Sequence, residues 1–164
     1  MQQSLKLAGQ ASSEAIRSAL RRAAPGDATA IRSLTREAYA KWVPVIGREP
    51  KPMTADYDAA VKDHLVDLLE LQEELVALIE MRAEVNHLLI VNVAVSAVHQ
   101  GNGYGRALLA HAEDLARSLG MDEVRLYTNG CFTENLKLYE RVGYRVDREE
   151  TSHLGITVYM SKRL

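Results

Sequence analysis

Three glycines at alternate positions stand in Val93-Ala94-Val95-Ser96-Ala97-Val98-His99-Gln100-Gly101-Asn102-Gly103-Tyr104-Gly105-Arg106, between an apolar run and an Ala/Leu-rich stretch. A strand that feeds a helix through glycines leaves unpaired N–H groups at the positive end of the helix dipole. That is a physical site for phosphate. Two familiar phosphate loops are excluded by spacing. A Walker loop ends in Gly-Lys-Ser/Thr, whereas Gly105 is followed by Arg106-Ala107. A dinucleotide fingerprint needs Gly-x-Gly-x-x-Gly directly after its strand; here the third glycine comes one residue early and Ser96 to Gln100 intervene. A tight turn that binds nothing stays open as a reading. Further on, Asn135 and Tyr139 are four apart and share one helix face. Cys131 precedes that helix, with no assigned His/Asp pair to activate it as a nucleophile. The five histidines and the acidic Gln72-Glu73-Glu74 stretch show no metal-ligand spacing.

Several elements must position these groups. A short strand near Leu20 to Ala23 ends at Pro25-Gly26, and Asp27 is placed to cap a helix carrying Ile31, Leu34 and Ala38. Lys41 to Pro52, with its three prolines and a glycine, reads as a loop, and Thr54 as the cap of a helix running to about Asp63. The apolar runs Leu65 to Leu71 and Leu75 to Met81, around Gln72-Glu73-Glu74, read as a hairpin, with helix as the rival. Leu88 to Val95 is the pattern of a strand covered on both faces. Leu108, Leu109, Ala112, Leu115 and Ala116 trace a helical stripe that Gly120 stops. Val124 to Tyr127 is a strand, Thr133 caps a helix ended by Gly143, and strands near Tyr144–Arg148 and Ile156–Ser161 flank a turn at Ser152 to Gly155. Strands paired early and alternating with helices later predict an α/β (α+β) fold: a mixed, mostly antiparallel twisted sheet flanked by helices.

The 164 residues allow one domain with a core of its own, and 47% hydrophobic with 26% charged residues is an ordinary soluble balance. Residues 1–17 are expected to form a flexible extension and residues 18–164 a single domain. A net charge of −2 argues against a general nucleic-acid partner. A single cysteine excludes an intrachain disulfide and suits a reducing, cytoplasmic setting. No apolar run is long enough to span a membrane.

Gln100-x-x-Gly103-x-Gly105 between strand and helix resembles the pyrophosphate motif of the GNAT superfamily of acyl-CoA-dependent N-acetyltransferases. Asn135-Leu136-Lys137-Leu138-Tyr139-Glu140-Arg141-Val142-Gly143-Tyr144 is similar to that family's later helix and strand, at the usual separation. The resemblance is specific over about Leu88 to Arg145. It implies acetyl-CoA as cosubstrate, with Gln100, Gly101, Gly103 and Gly105 and the amides of Asn102, Tyr104 and Arg106 around its diphosphate. It also implies that the main chain of Val93 and Val95 pairs with the pantetheine arm, and that the Val93 amide is the oxyanion donor. Tyr139 would protonate the departing thiolate, and Asn135 would bond to pantetheine or nearby backbone.

The family's strand carboxylate is absent from Leu88 to Asn92, so the general base is open among Glu80, Glu37 and His87. Asn92 either is satisfied internally or faces substrate. Acceptor specificity is expected in the Ser152–Gly155 turn and in the Lys41–Pro52 loop, where Trp42, Val45 and Ile46 with Lys41, Arg48 and Lys51 suit a substrate with an apolar part and an acid group, or else form a packed loop with solvated charges. The chemistry so implied is direct acetyl transfer to a primary amine of a small molecule. A protein N-terminus of the ribosomal-protein type is the alternative acceptor, and a non-catalytic CoA-binding module the alternative class. The C-terminal edge strands offer a place for a homodimer to form.

Overall fold

The computed structural model describes residues 14–164. Most of the expected extension, residues 1–13, lies outside the described residues, while residues 14–18 are helical and place Ile16 against the core. Seven strands form one sheet in the order β1-β2-β3-β4-β5-β7-β6. They are β1 (Leu20–Arg22), β2 (Leu65–Leu71), β3 (Glu74–Ala83), β4 (Leu88–Val95), β5 (Glu123–Asn129), β6 (Arg145–Ser152) and β7 (Gly155–Arg163). Only β4 and β5 run parallel. The helices are α1 (Ala28–Tyr39), α2 (Val43–Ile46), α3 (Lys51–Thr54), α4 (Tyr57–Asp63), α5 (Tyr104–Ser118) and α6 (Thr133–Arg141).

Alternation along the central strands sets two cores. Leu68, Leu78 and Ala94 pack with Ile31, Leu34 and Tyr57 of α1 and α4, while Leu69, Ile79 and Ile90 pack on the other face with Leu108, Leu109 and Ala112 of α5. All of these are buried, so truncating a residue such as Ile31 to Ala costs about 2–5 kcal/mol. β6 is exposed along its length at one edge of the sheet.

The β2–β3 hairpin turns on Gln72 and Glu73 alone, both with positive φ (52° and 65°). Two left-handed residues give the turn whose twist matches paired strands; here non-glycine residues accept the strain because the registered strands on either side hold them. Helix is thereby excluded for this region.

Four local expectations are corrected. The Lys41–Pro52 stretch is not one continuous loop: Pro44 and Pro52 sit in the first turns of α2 and α3, where a missing N–H costs nothing, and only residues 47–50 between them are irregular. Asp56, not Thr54, caps α4, its carboxylate accepting from the Ala59 amide at 3.1 Å. Asp27 precedes α1 without capping it; its carboxylate instead accepts from the Ala24 amide at 2.7 Å and pairs with Arg21. Thr133 is the first residue of α6, with Phe132 at the cap position.

Candidate active site

β4 creates the site by leaving its neighbour. Its parallel pairing with β5 runs only through Leu88–Val124, Leu89–Arg125 and Ile90–Leu126. At the same point its register with β3 shifts, from Met81 opposite Ile90 to Glu80 opposite Asn92, so Val91 is an extra bulged residue. Beyond it the β5-facing edge is free. The Ser96 amide bonds to Val76 on the β3 side (2.8 Å), so by alternation Val93 and Val95 face the opened edge. Side chains reach both carbonyls there: the Tyr39 hydroxyl lies 3.3 Å from that of Val93, and Gln100 Nε2 donates to that of Val95 at 2.9 Å.

Two grooves meet at this edge. The first, of about 510 Å³, runs over Val93–Val95, Gln100, Gly101, Gly103–Arg106, Asn135 and Tyr139. It brings together every residue expected around the cosubstrate except Asn102, whose Nδ2 donates to the His99 carbonyl at 3.2 Å and braces the loop. α5 has no acidic residue and no side-chain cap in its first turn, and its first backbone bond runs from Ala107 to Gly103. The amides of Tyr104, Gly105 and Arg106 are therefore left for an anion. Gly101 and Gly103 hold φ of 81° and 86°, and a Cβ on either would meet nothing within 4 Å, so both the conformation and the open approach depend on glycine. Gly105 is small for a different reason: a Cβ there would touch Leu138 at 3.3 Å, where α5 meets α6. Arg106 and Arg141 line this groove without a carboxylate partner among the described residues. Lys41 also belongs to this side, bound to Glu134 (2.8 Å) and Gln100 (3.0 Å).

The second groove, of about 430 Å³, is framed by Ile46, Arg48, Lys51 and α4 on one side and Tyr127, Asn129, Phe132 and Tyr159 on the other. Glu80 and Asn92 line it as expected; Trp42 lies along the first groove instead, held by stacking on Phe132 at 4.9 Å. Asn92 is fully engaged, receiving from Tyr39 at 3.0 Å and donating towards Thr35 and Tyr57 at 3.3 Å each. These bonds tie the bulged strand to α1 and α4. Of the three base candidates only Glu80 reaches this groove. Glu37 accepts from the Ala97 amide at 3.1 Å, and His87 sits in the turn that starts β4, far along the strand from its free edge. Glu80 is 4% exposed and its Oε1 lies 2.6 Å from His64 Nδ1, another lining residue.

Tyr39, Val93 and Tyr139 border both grooves. Burial pushes the Tyr139 phenol up to about 12 and that of Tyr39 well above its usual value. Both stay protonated at neutral pH. Tyr57, raised to about 12 by burial as well, adds to a pH dependence of the fold. A phenol raised above its unfolded value of ~10 gives stability that is complete below pH ~10 and lost as pH rises through the folded value, on the order of 1–3 kcal/mol per group. The denaturant midpoint is thus lower at pH 11 than at pH 8. An unchanged midpoint would mean that these tyrosines titrate as freely folded as unfolded.

His64 and Tyr39 were not assigned to the centre from sequence, whereas Arg48, expected in the acceptor-specificity segment, does line the second groove. His64 had a signal in the hairpin register, since Leu65 pairs with Met81 and Val66 with Glu80. Tyr39 depends on how α1 packs against the sheet, for which no short-range pattern exists.

Known proteins share this architecture. The model of the "Acetyltransferase (GNAT) family" matches residues 28–144. A Bacillus subtilis (strain 168) protein, "Uncharacterized N-acetyltransferase YvbK", is 35% identical over 57 residues, spanning 35% of this chain and 37% of its own length. The PaiA N-acetyltransferase of Thermoplasma acidophilum, solved with coenzyme A, superposes with a TM-score of 0.72 at 18% identity, over 88% of this chain and 98% of its own. The ribosomal-protein-S18-alanine N-acetyltransferase of Escherichia coli gives 0.71 at 18% identity, over 88% and 92%. The two structures establish likeness of fold, and the family match over residues 28–144 establishes kinship: the chain belongs to the acetyltransferase (GNAT) family.

Proposed function

We propose that the protein transfers the acetyl group of acetyl-CoA directly to a primary amine of a small molecule. The observation that carries this reading is the meeting of two grooves at the free edge of β4, where Val93 and Tyr139 face both. The anion-ready loop takes the diphosphate of acetyl-CoA, as the T. acidophilum relative solved with coenzyme A would suggest. The pantetheine arm adds along Val93 and Val95, which requires the Gln100 side chain to leave the Val95 carbonyl.

In the second groove, a carboxylate at Glu80 accepts the His64 Nδ1 hydrogen and leaves Nε2 with a lone pair. The acceptor enters as the free amine, and His64 Nε2 takes the proton that its nitrogen loses on attack. The amine nitrogen bonds to the thioester carbon, and negative charge collects on its oxygen beside the Val93 amide. The C–S bond then breaks, and the Tyr139 hydroxyl donates to the departing sulfur. Burial that weakens the phenol as an acid also strips hydration from the thiolate, so donation there is favoured over donation to bulk water. The products are the N-acetylated amine and free CoA, and the proton taken by His64 returns to Tyr139 through solvent.

A bridge from Arg48 to the β6–β7 turn favours a small acceptor over a protein N-terminus. Arg48 Nη2 reaches across to the Leu154 carbonyl at 3.2 Å, joining the segment after α2 to the β6–β7 turn. The volume of about 430 Å³ is in the range of small-ligand pockets. Turnover of acetyl-CoA with a panel of small amines tests the proposal; acetylation of protein N-termini alone would replace the acceptor, and no transfer at all would leave a CoA-binding module. Gly103→Trp tests the loop separately. It weakens acetyl-CoA binding by at least about tenfold (~1.4 kcal/mol) in isothermal titration while circular dichroism stays native. Unaltered affinity would remove the loop from the binding site.

A further inference from the structure

We infer that Arg48 is a specificity residue: it holds a carboxylate on the acceptor, so the acceptor is a small amine that also carries an acid group. The inference rests on the acetyl-transfer reading above and adds the substrate's second functional group.

Among the described residues every arginine but three lies against a carboxylate. Residues 1–13 contain no Asp or Glu that could alter that pattern. The three exceptions are Arg48, Arg106 and Arg141. Arg106 and Arg141 line the groove assigned to the diphosphate, where guanidinium groups without protein counter-ions are expected. Arg48 alone lines the acceptor groove.

Its guanidinium is oriented but not neutralised. Nη1 donates to the Glu49 carbonyl and Nη2 to the Leu154 carbonyl, each at 3.2 Å, while Nε is buried and has no partner. A buried N–H without an acceptor is uncommon in native proteins and marks a place where a ligand can supply one. Nε with a remaining Nη hydrogen forms the two-pronged edge that a carboxylate fits. Lys51 adds positive charge to the same groove, whereas Glu80, Asp56 and Asp63 supply negative charge. Asp56 is occupied at the start of α4 and Glu80 is paired with His64. Both signs within one groove match a molecule with an ammonium and a carboxylate better than a simple amine. Ile46, Pro50, Phe132 and Tyr159 leave room for an apolar body between them.

The test uses pairs of amines that differ only in a carboxylate, across aromatic and aliphatic skeletons, with phosphonate analogues as a third arm. The parent protein is expected to show kcat/KM at least tenfold higher for the carboxylated member of its best pair. Arg48→Gln should abolish that preference through KM, Arg48→Lys should keep part of it, and neither should change acetyl-CoA affinity. Preference for the phosphonate would replace the carboxylate as the anion and overturn the acceptor class stated here. Equal rates within pairs, or a uniform fall for all amines in both variants, would overturn the anchor and leave Arg48 as a bridge to the β6–β7 turn. Absence of transfer to every amine would instead overturn the acetyl-transfer reading, and this inference with it.

Discussion

His64→Gln lowers kcat by about 10²–10⁴ while acetyl-CoA affinity stays at the parent value. General-base catalysis contributes a factor of that size. His64 lines the acceptor groove and not the cosubstrate groove, so binding of acetyl-CoA is a clean control. Gln is the informative replacement because Glu80 is 4% exposed and needs a donor. Alanine would leave a buried carboxylate unpaired, a loss of ~3–5 kcal/mol that would confuse catalysis with unfolding. Glu80→Gln should act in the same direction, because it removes the acceptor that fixes the His64 tautomer. A variant with the parental kcat would move the base elsewhere.

Tyr139→Phe gives the second large effect: kcat falls by about 10² with little change in KM for either substrate. The side chain is 8% exposed and its ring packs 6.0 Å from that of Tyr144, contacts a phenylalanine keeps. Its hydroxyl donates to no side chain or carbonyl among the described residues, so its removal orphans nothing and stability should hold. A fall in kcat without loss of stability therefore reports the proton donor. Full activity in the variant would reduce Tyr139 to a packing residue.

The sequence was most legible where one local pattern decides the structure. The Leu108–Ala112–Ala116 stripe, the apolar strand Leu88–Val95 and the glycines after it place the cosubstrate groove with nearly all its lining residues. Caps were less legible, because Thr54 and Thr133 are good cap residues whose positions tertiary packing shifted by one or two places. The acceptor groove was least legible. Its shape follows from the bulge at Val91 and from the parting of β4 and β5 after Ile90, and its chemistry from contacts between residues far apart in the chain. The His64–Glu80 contact spans 16 residues and the Arg48–Leu154 bridge 106. Trp42 shows the limit well: its type suited a substrate contact, yet stacking on Phe132 assigns it to the other groove.

Initial rates measured over a grid of acetyl-CoA and acceptor-amine concentrations test the central claim most directly. Transfer at the junction of two grooves needs both substrates bound together, so the double-reciprocal lines should intersect. Parallel lines, with an acetyl group recovered on the protein, at Cys131 for example, would contradict direct transfer and require a covalent intermediate.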